Sequence, residues 1–386
     1  MNTFERDKEY VAATYKRFPV EIVSGKGSLY FDADGKEYID LGSGIGVNAF
    51  GVGDEEYKKA VTEQLDKVQH TSNLYYTSPC TRLAELICEK TGMKRVFFGN
   101  SGAEANECAI KVARKYAAEK KGKNCSTILT LVNSFHGRTL TTLAATGQDK
   151  FHELFQPLTP GFAHVPAGDF EAFVQACEKY DPAGFLMECV QGEGGVVPVD
   201  ADYIRATRDY CDKHDIVFML DEVQTGNGRT GKLYSYMHFG ITPDVFTTAK
   251  GLAGGLPIGA CVLGDKVKDV FGPGDHGSTF GGNPIACAAA LSILSRIDDT
   301  LLDDVQAKSR LVYETLEGKP GIESITGLGL MLGIKTARPA GEVVAACIER
   351  GALPLTAKDK VRLLPPLNIP RELLEKGCKI IAECAG

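Results

Sequence analysis

Between residues ~55 and ~275, short apolar runs alternate with stretches of helical period. The runs fall at 95–98, 127–132, 185–188, 216–220, 245–249 and 258–263. They are near-continuously apolar, as expected of strands buried on both faces. Strands separated by helix-length segments predict an α/β fold with a mostly parallel sheet covered by helices. Ahead of this region, 19–23, 29–31 and 38–41 read as short strands, and Asp34-Gly35 is a hairpin turn. Beyond Asn283-Pro284 a helix-prone stretch leads to strand-like runs at 327–334 and 361–364. The expected division is an N-terminal segment (1–45) packing with a small domain, a large domain (46–287) and a small C-terminal α+β domain (288–386).

A chain of 386 residues exceeds what one core usually supports, in keeping with more than one domain. Its 44% apolar and 24% charged content is that of an ordinary globular protein. A net charge of -7 argues against nucleic-acid and anionic-membrane partners and leaves room for a small anionic substrate. The twelve cysteines form no C-x-x-C pair, so metal-ligand spacing is absent and free thiols in a reducing cytoplasm are expected. The start MNTFERDKEY has no apolar core of a secretory signal, and no apolar run reaches membrane-span length. These features predict a soluble cytoplasmic protein.

The chemistry enters through two strand ends. Asp221 closes the run at 216–220 and Lys250 closes the run at 245–249, before Gly251. Open α/β sheets bind ligands at such carboxyl ends. A lysine there suits Schiff-base formation, and a neighbouring aspartate can keep a pyridine nitrogen protonated. Those are the two protein groups that pyridoxal phosphate needs most.

Other segments carry two readings each. In Asn100-Ser101-Gly102-Ala103-Glu104, the start of a helix either binds a phosphate or is a capping box of Ser101 and Glu104. Phe135 could stack on a flat ring and Arg138 could fork onto a carboxylate, or both could be structural. His136 is an acid/base candidate or a structural histidine. Gly226-Asn227-Gly228-Arg229-Thr230-Gly231 matches G-x-G-x-x-G, but no helix-long apolar face follows it. A turn letting backbone approach a ligand is expected there. Glu193 lies in an acidic loop, Ser278 and Thr279 precede a helix start, and Arg362 sits in an apolar setting where an arginine needs a partner.

Together these motifs resemble the class III (subgroup II) pyridoxal-phosphate aminotransferases, nearly end to end. The most specific stretches are 100–106, 135–139, 221–226 and 249–251. The resemblance implies a fold-type I protein with a seven-stranded sheet, acting as a homodimer with shared active sites. It places the cofactor aldehyde on Lys250, the ring nitrogen on Asp221 and the ring between Phe135 and Val223. Gln224 meets the phenolic oxygen, Gly102 and Ala103 hold the phosphate, and Thr279 reaches the phosphate of the neighbouring subunit's cofactor. Arg138 takes the carboxylate of an acylated ornithine beside Ser278. Arg362 takes the α-carboxylate of glutamate or 2-oxoglutarate, and Glu193 pairs with Arg362 when glutamate is absent. The sequence departs from the family at Cys189, where a proline is usual, and at 51–55, where a Gly-His-x-His-Pro run is common.

The nearest branch implies transfer between N2-acetylornithine and 2-oxoglutarate, giving N-acetylglutamate 5-semialdehyde and glutamate in arginine biosynthesis. Free-ornithine relatives tend to carry tyrosine where Ile45 stands, which favours an acylated amine. Ornithine, 4-aminobutyrate and succinylated ornithine or diaminopimelate remain alternative donors. An aminomutase needing no keto acid, or a non-catalytic cofactor-binding regulator, are the readings from other classes.

Overall fold

Seven strands build the central sheet of the computed structural model, which describes residues 1–122 and 125–386. In chain order they are β1 (Arg95–Gly99), β2 (Ile128–Leu131), β3 (Phe162–Val165), β4 (Gly184–Met187), β5 (Val217–Asp221), β6 (Val245–Thr248) and β7 (Gly259–Leu263). They lie side by side as β1-β7-β6-β5-β4-β2-β3. Only β7 runs against its neighbours β6 and β1; the remaining pairings are parallel. The carboxyl ends of all the others therefore share one edge.

β2, β4, β5, β6 and β7 are buried at every residue, which is why their sequences are predominantly apolar. The sequence pattern does not reveal β3. It is an edge strand, partly exposed and interrupted by His164, so it lacks the apolar run that marks the others. The helix Gly102–Lys120 follows β1 directly and packs across β6 and β7. Its buried face is rich in alanine, with Ala105, Ala109, Ala113 and Ala117 beside Ile110 and Val112.

At the N-terminal end, Ile22–Lys26, Leu29–Asp32 and Glu37–Asp40 form an antiparallel meander. Its last strand pairs in parallel with Ala352–Leu353, near the other end of the chain. The run at 327–334, expected as one strand, is instead a hairpin of Ile322–Leu328 and Met331–Thr336. Gly327 (φ 128°) and Gly329 (φ 55°) take backbone conformations that turn the chain, and apolar alternation alone cannot signal this. Lys360–Leu363 pairs with the second arm and carries Arg362.

Residues 43–46 form one left-handed helical turn, with φ of 43°, 64°, 67° and 76° at Ser43, Gly44, Ile45 and Gly46. A β-branched residue such as Ile45 is strained there, so the surroundings must enforce the shape. Asp40 accepts the N–H groups of Gly42 (3.0 Å) and Ser43 (2.6 Å). Ser43 Oγ donates to the carbonyl of Leu364 at 2.5 Å. The buried Arg229 donates to the carbonyls of Leu330 (3.2 Å) and Pro365. The turn, the glycine-rich loop and the end of the Arg362 strand are thereby fastened together.

Candidate active site

Asp221 is the last residue of β5 and sits opposite Thr247 of β6 in the parallel register. Lys250 follows β6 on a short 3-10 turn and adopts φ 46°, a left-handed conformation uncommon outside glycine. Asn227 secures that turn: its Nδ2 donates to Thr248 Oγ1 (2.9 Å) and to the carbonyl of Ala249 (3.1 Å). The glycine-rich loop thus braces the lysine and lines no part of the cavity below, which corrects the expectation of a ligand approach. Its glycines serve close packing instead, since a Cβ at Gly226 would meet the Glu222 carbonyl at 2.7 Å and the Tyr234 ring at 2.8 Å.

A cavity of about 440 Å³ opens at the carboxyl edge of the sheet. Gly102, Ala103, Phe135, Arg138, Asp221, Val223, Gln224 and Lys250 all line it, so eight of the expected site residues converge on one space. Arg362 and Glu193 adjoin it through Gln224. Arg362 Nη1 donates to Gln224 Oε1 (3.2 Å) and to Glu193 Oε1 (2.5 Å), while Gln224 Nε2 donates to Glu193 Oε1 at 3.4 Å. Ser278 and Thr279 do not line this cavity; they line a neighbouring one of about 790 Å³. Asn100, which lines the first cavity, links the two by donating to Ser278 Oγ at 3.1 Å.

Charge follows position. Desolvation pushes the Lys250 amine below its ordinary range, opposed by the negative charges of Asp221 and Glu193. A deprotonated amine is the nucleophilic form. Burial raises Glu193, but the Arg362 guanidinium outweighs it and leaves the carboxyl below the usual range. Glu188, fully enclosed at the end of β4, is pushed up to about 7 by desolvation; His136 pulls it down and Asp221 adds to the rise. Its two oxygens accept the N–H groups of Phe135 (3.0 Å) and Gly192 (3.2 Å), so one carboxyl ties together two loops of the site.

His136 is a partner of Asp221, with its Nδ1 2.8 Å from Asp221 Oδ2. Arg138 is exposed and has no ion-pair partner among the described residues. Its guanidinium lies 4.2 Å from the ring centre of Phe151 and 5.4 Å from that of Phe135. The sequence pattern does not point to Phe151, which arrives from a 3-10 turn with no distinguishing neighbours. Asn227 and Asn106 were also missed as site-building residues. Asn106 did leave a signal: it is a polar residue on a buried alanine-rich helix face, where a partner is required.

A family model described as aminotransferase class-III matches residues 10–385. The chain belongs to the class-III aminotransferases. The acetylornithine aminotransferase of Haemophilus ducreyi is 49% identical over 379 residues, covering 98% of this chain and 96% of that protein. That of Methanocaldococcus jannaschii is 43% identical, covering 97% and 95%. Among solved structures, ornithine aminotransferase from Toxoplasma gondii ME49 superposes with a TM-score of 0.94 at 32% identity, covering 99% of this chain and 93% of that one. Acetylornithine aminotransferase from Elizabethkingia anophelis gives 0.89 at 34% identity, covering 99% and 98%.

The class-III cavity has the donor set that the pyridoxal phosphate of the sequence resemblance would require. An amine and a carboxylate arrive from adjacent strand ends, with Phe135 and Val223 as apolar walls. The helix Gly102–Lys120 opens onto it, and Ser101 Oγ takes only the N–H of Glu104 (3.2 Å), leaving the first N–H groups for an anion. A Cβ at Gly102 would meet Val223 Cγ1 at 2.7 Å, so the helix start and the Val223 wall can be this close only with glycine there. The departure at 51–55 has a structural role. Asp54 caps the helix Glu55–Leu65 and forms a two-pronged pair with Arg296 at 2.8 and 2.9 Å.

Proposed function

We propose that this class-III aminotransferase uses pyridoxal phosphate to transfer the δ-amine of N2-acetylornithine to 2-oxoglutarate, giving N-acetylglutamate 5-semialdehyde and glutamate. One observation carries the reading: an amine after β6 and a carboxylate ending β5 reach the same cavity. The names of the relatives supply the donor. When bound, the cofactor supplies an electron sink for the carbanion left by proton loss. Lys250 Nζ would hold the cofactor's aldehyde until the substrate amine displaces it, and the freed amine would then take the proton from the amine-bearing carbon as base and deliver it to the cofactor's aldehyde-derived carbon as acid. Asp221 holds the proton on the ring nitrogen by ion pairing away from water. Phe135 and Val223 would pack against the faces of the ring, Gln224 would bond its phenolic oxygen, and Gly102 and Ala103 would take the phosphate.

Arg138 binds the α-carboxylate of the acylated donor, beside Ser278. Arg362 binds the α-carboxylate of glutamate or 2-oxoglutarate once Glu193 releases it. Thr279 serves the cofactor of a second copy of the chain. Its exposure outside the main cavity supports this, as do the exposed apolar side chains nearby: Leu74 (87%), Tyr76 (98%) and Phe280 (59%). No helix of the described residues is long and apolar enough to cross a membrane. Twelve unpaired thiols suit a reducing cytoplasm.

The test is a panel of amine donors given to cofactor-loaded protein with 2-oxoglutarate, read as glutamate formed. N2-acetylornithine is expected to lead ornithine, 4-aminobutyrate and succinylated donors in kcat/KM. Turnover without a keto acid would overturn the reading in favour of an aminomutase.

A further inference from the structure

Asp221 is gripped by a network that the proposed reaction does not by itself call for. Its Oδ2 accepts two bonds of 2.8 Å, from Asn106 Nδ2 and from His136 Nδ1, and its Oδ1 accepts the N–H of Val223 at 3.0 Å. The Asn106 Nδ2 group has two hydrogens, and the second goes to the backbone carbonyl of His136, also at 2.8 Å. Asn106 Oδ1 in turn accepts the hydroxyl of Thr247 at 2.7 Å. Every donor and acceptor of this amide is engaged, and Asn106 (1% exposed) and Thr247 (0%) are both sealed from water.

The arrangement has only one sensible orientation. Flipping the amide would set its oxygen against a carboxylate and a carbonyl, two acceptors with no proton between them. Those two acceptors forbid the flip, and the Thr247 hydroxyl, donating to Oδ1, anchors the oxygen end. Donors on both oxygens fix the plane of the Asp221 carboxylate. Thr247 lies directly opposite Asp221 in the β5–β6 register, so both ends of the brace stand on rigid sheet.

We infer that Asn106 is a positioning residue for the reaction, orienting the Asp221 carboxylate toward the cofactor's ring nitrogen, and that Thr247 fixes the orientation of Asn106. The inference rests on the cofactor reading above. It separates Asn106 from its neighbours in the 100–106 motif, which serve the phosphate end of the cavity.

The experiment uses full-length protein loaded with cofactor labelled with nitrogen-15 in the ring. The variants are Asn106→Leu, Thr247→Val and, as a control, Asp221→Ala. The nitrogen resonance is expected to move toward the unprotonated position in Asp221→Ala and Asn106→Leu, and part of the way in Thr247→Val. Cofactor loss on dialysis should speed up in the same order. In Asn106→Leu, kcat of both half-reactions should fall by about 10- to 100-fold while KM stays within about 3-fold, the scale of one lost bond to a charged group. Should Asn106→Leu fail to fold, the nearly isosteric Thr247→Val decides alone. A resonance that moves in Asp221→Ala but keeps its wild-type place in the other folded variants overturns this inference. An unmoved resonance in Asp221→Ala overturns the cofactor reading itself.

Discussion

Arg362 and Glu193 meet at 2.5 Å, and Gln224 hydrogen-bonds to both. The arginine side chain is only 4% exposed, so without Glu193 its charge would stand buried and unpaired. Any carboxylate that binds Arg362 must therefore displace an internal rival. A site that takes two substrates in turn gains discrimination from such a rival, because only a well-placed anion can replace it.

Replacing Glu193 with glutamine should separate the two half-reactions. With the rival neutralised, KM for glutamate and 2-oxoglutarate should fall by about 3- to 10-fold, while the half-reaction of the acylated amine should slow by about 10-fold. Stopped-flow half-reactions read this directly. Equal changes in both would remove the gating role.

The pH dependence of stability should carry two opposite signatures. Glu193 is held below its ordinary range, so its contribution is present above that range and disappears as pH falls through its folded value. Glu188 is raised from 4.5 to about 7, so its contribution is full below 4.5 and disappears as pH rises through about 7. Calorimetry of cofactor-free Glu188→Gln should show Tm losing less than wild type between those limits. An unchanged slope would contradict the raised carboxyl.

Lys250→Ala should abolish turnover while leaving a folded protein that still takes up cofactor without the imine absorption band. In the free wild-type protein, trapping of Lys250 by a small aldehyde and a hydride donor should reach half its maximum below the ordinary lysine value of 10.5. Asp221→Asn should move that midpoint lower still, because the lost negative charge was opposing desolvation. Peptide mass spectrometry against pH provides the check, and an upward move would refute the charge assignment.

Phe151→Ala removes the closer of the two rings that steady Arg138. KM for N2-acetylornithine should rise by about 2- to 5-fold with kcat nearly unchanged, the scale of one exposed cation–π contact. Arg138→Ala should cost about 10- to 100-fold in kcat/KM for the same donor. If a δ-amine donor lacking the α-carboxylate suffers equally, Arg138 is not the group that reads that carboxylate.

Much of this architecture could be read along the chain, for a physical reason. Strands buried on both faces must be apolar throughout, so β2 and β4 through β7 announced themselves, and Asp221 and Lys250 stood out as charges ending such runs. The edge strand β3 escaped because exposure relaxes that demand. The hairpin at Gly329 escaped because local hydropathy does not report φ. Contacts between distant segments, such as Arg138 on Phe151 or Asn227 under Lys250, left no periodic trace. They depend on where the loops arrive.

The left-handed turn at 43–46 leaves little slack at the rim of the site. With Ser43 fixed to Leu364 and Arg229 holding Pro365, inserting or deleting a residue there would drag the Arg362 strand out of step with the sheet that carries Lys250. Change at this turn would therefore proceed by exchanging side chains, such as that of the exposed Ile45, on an unchanged backbone.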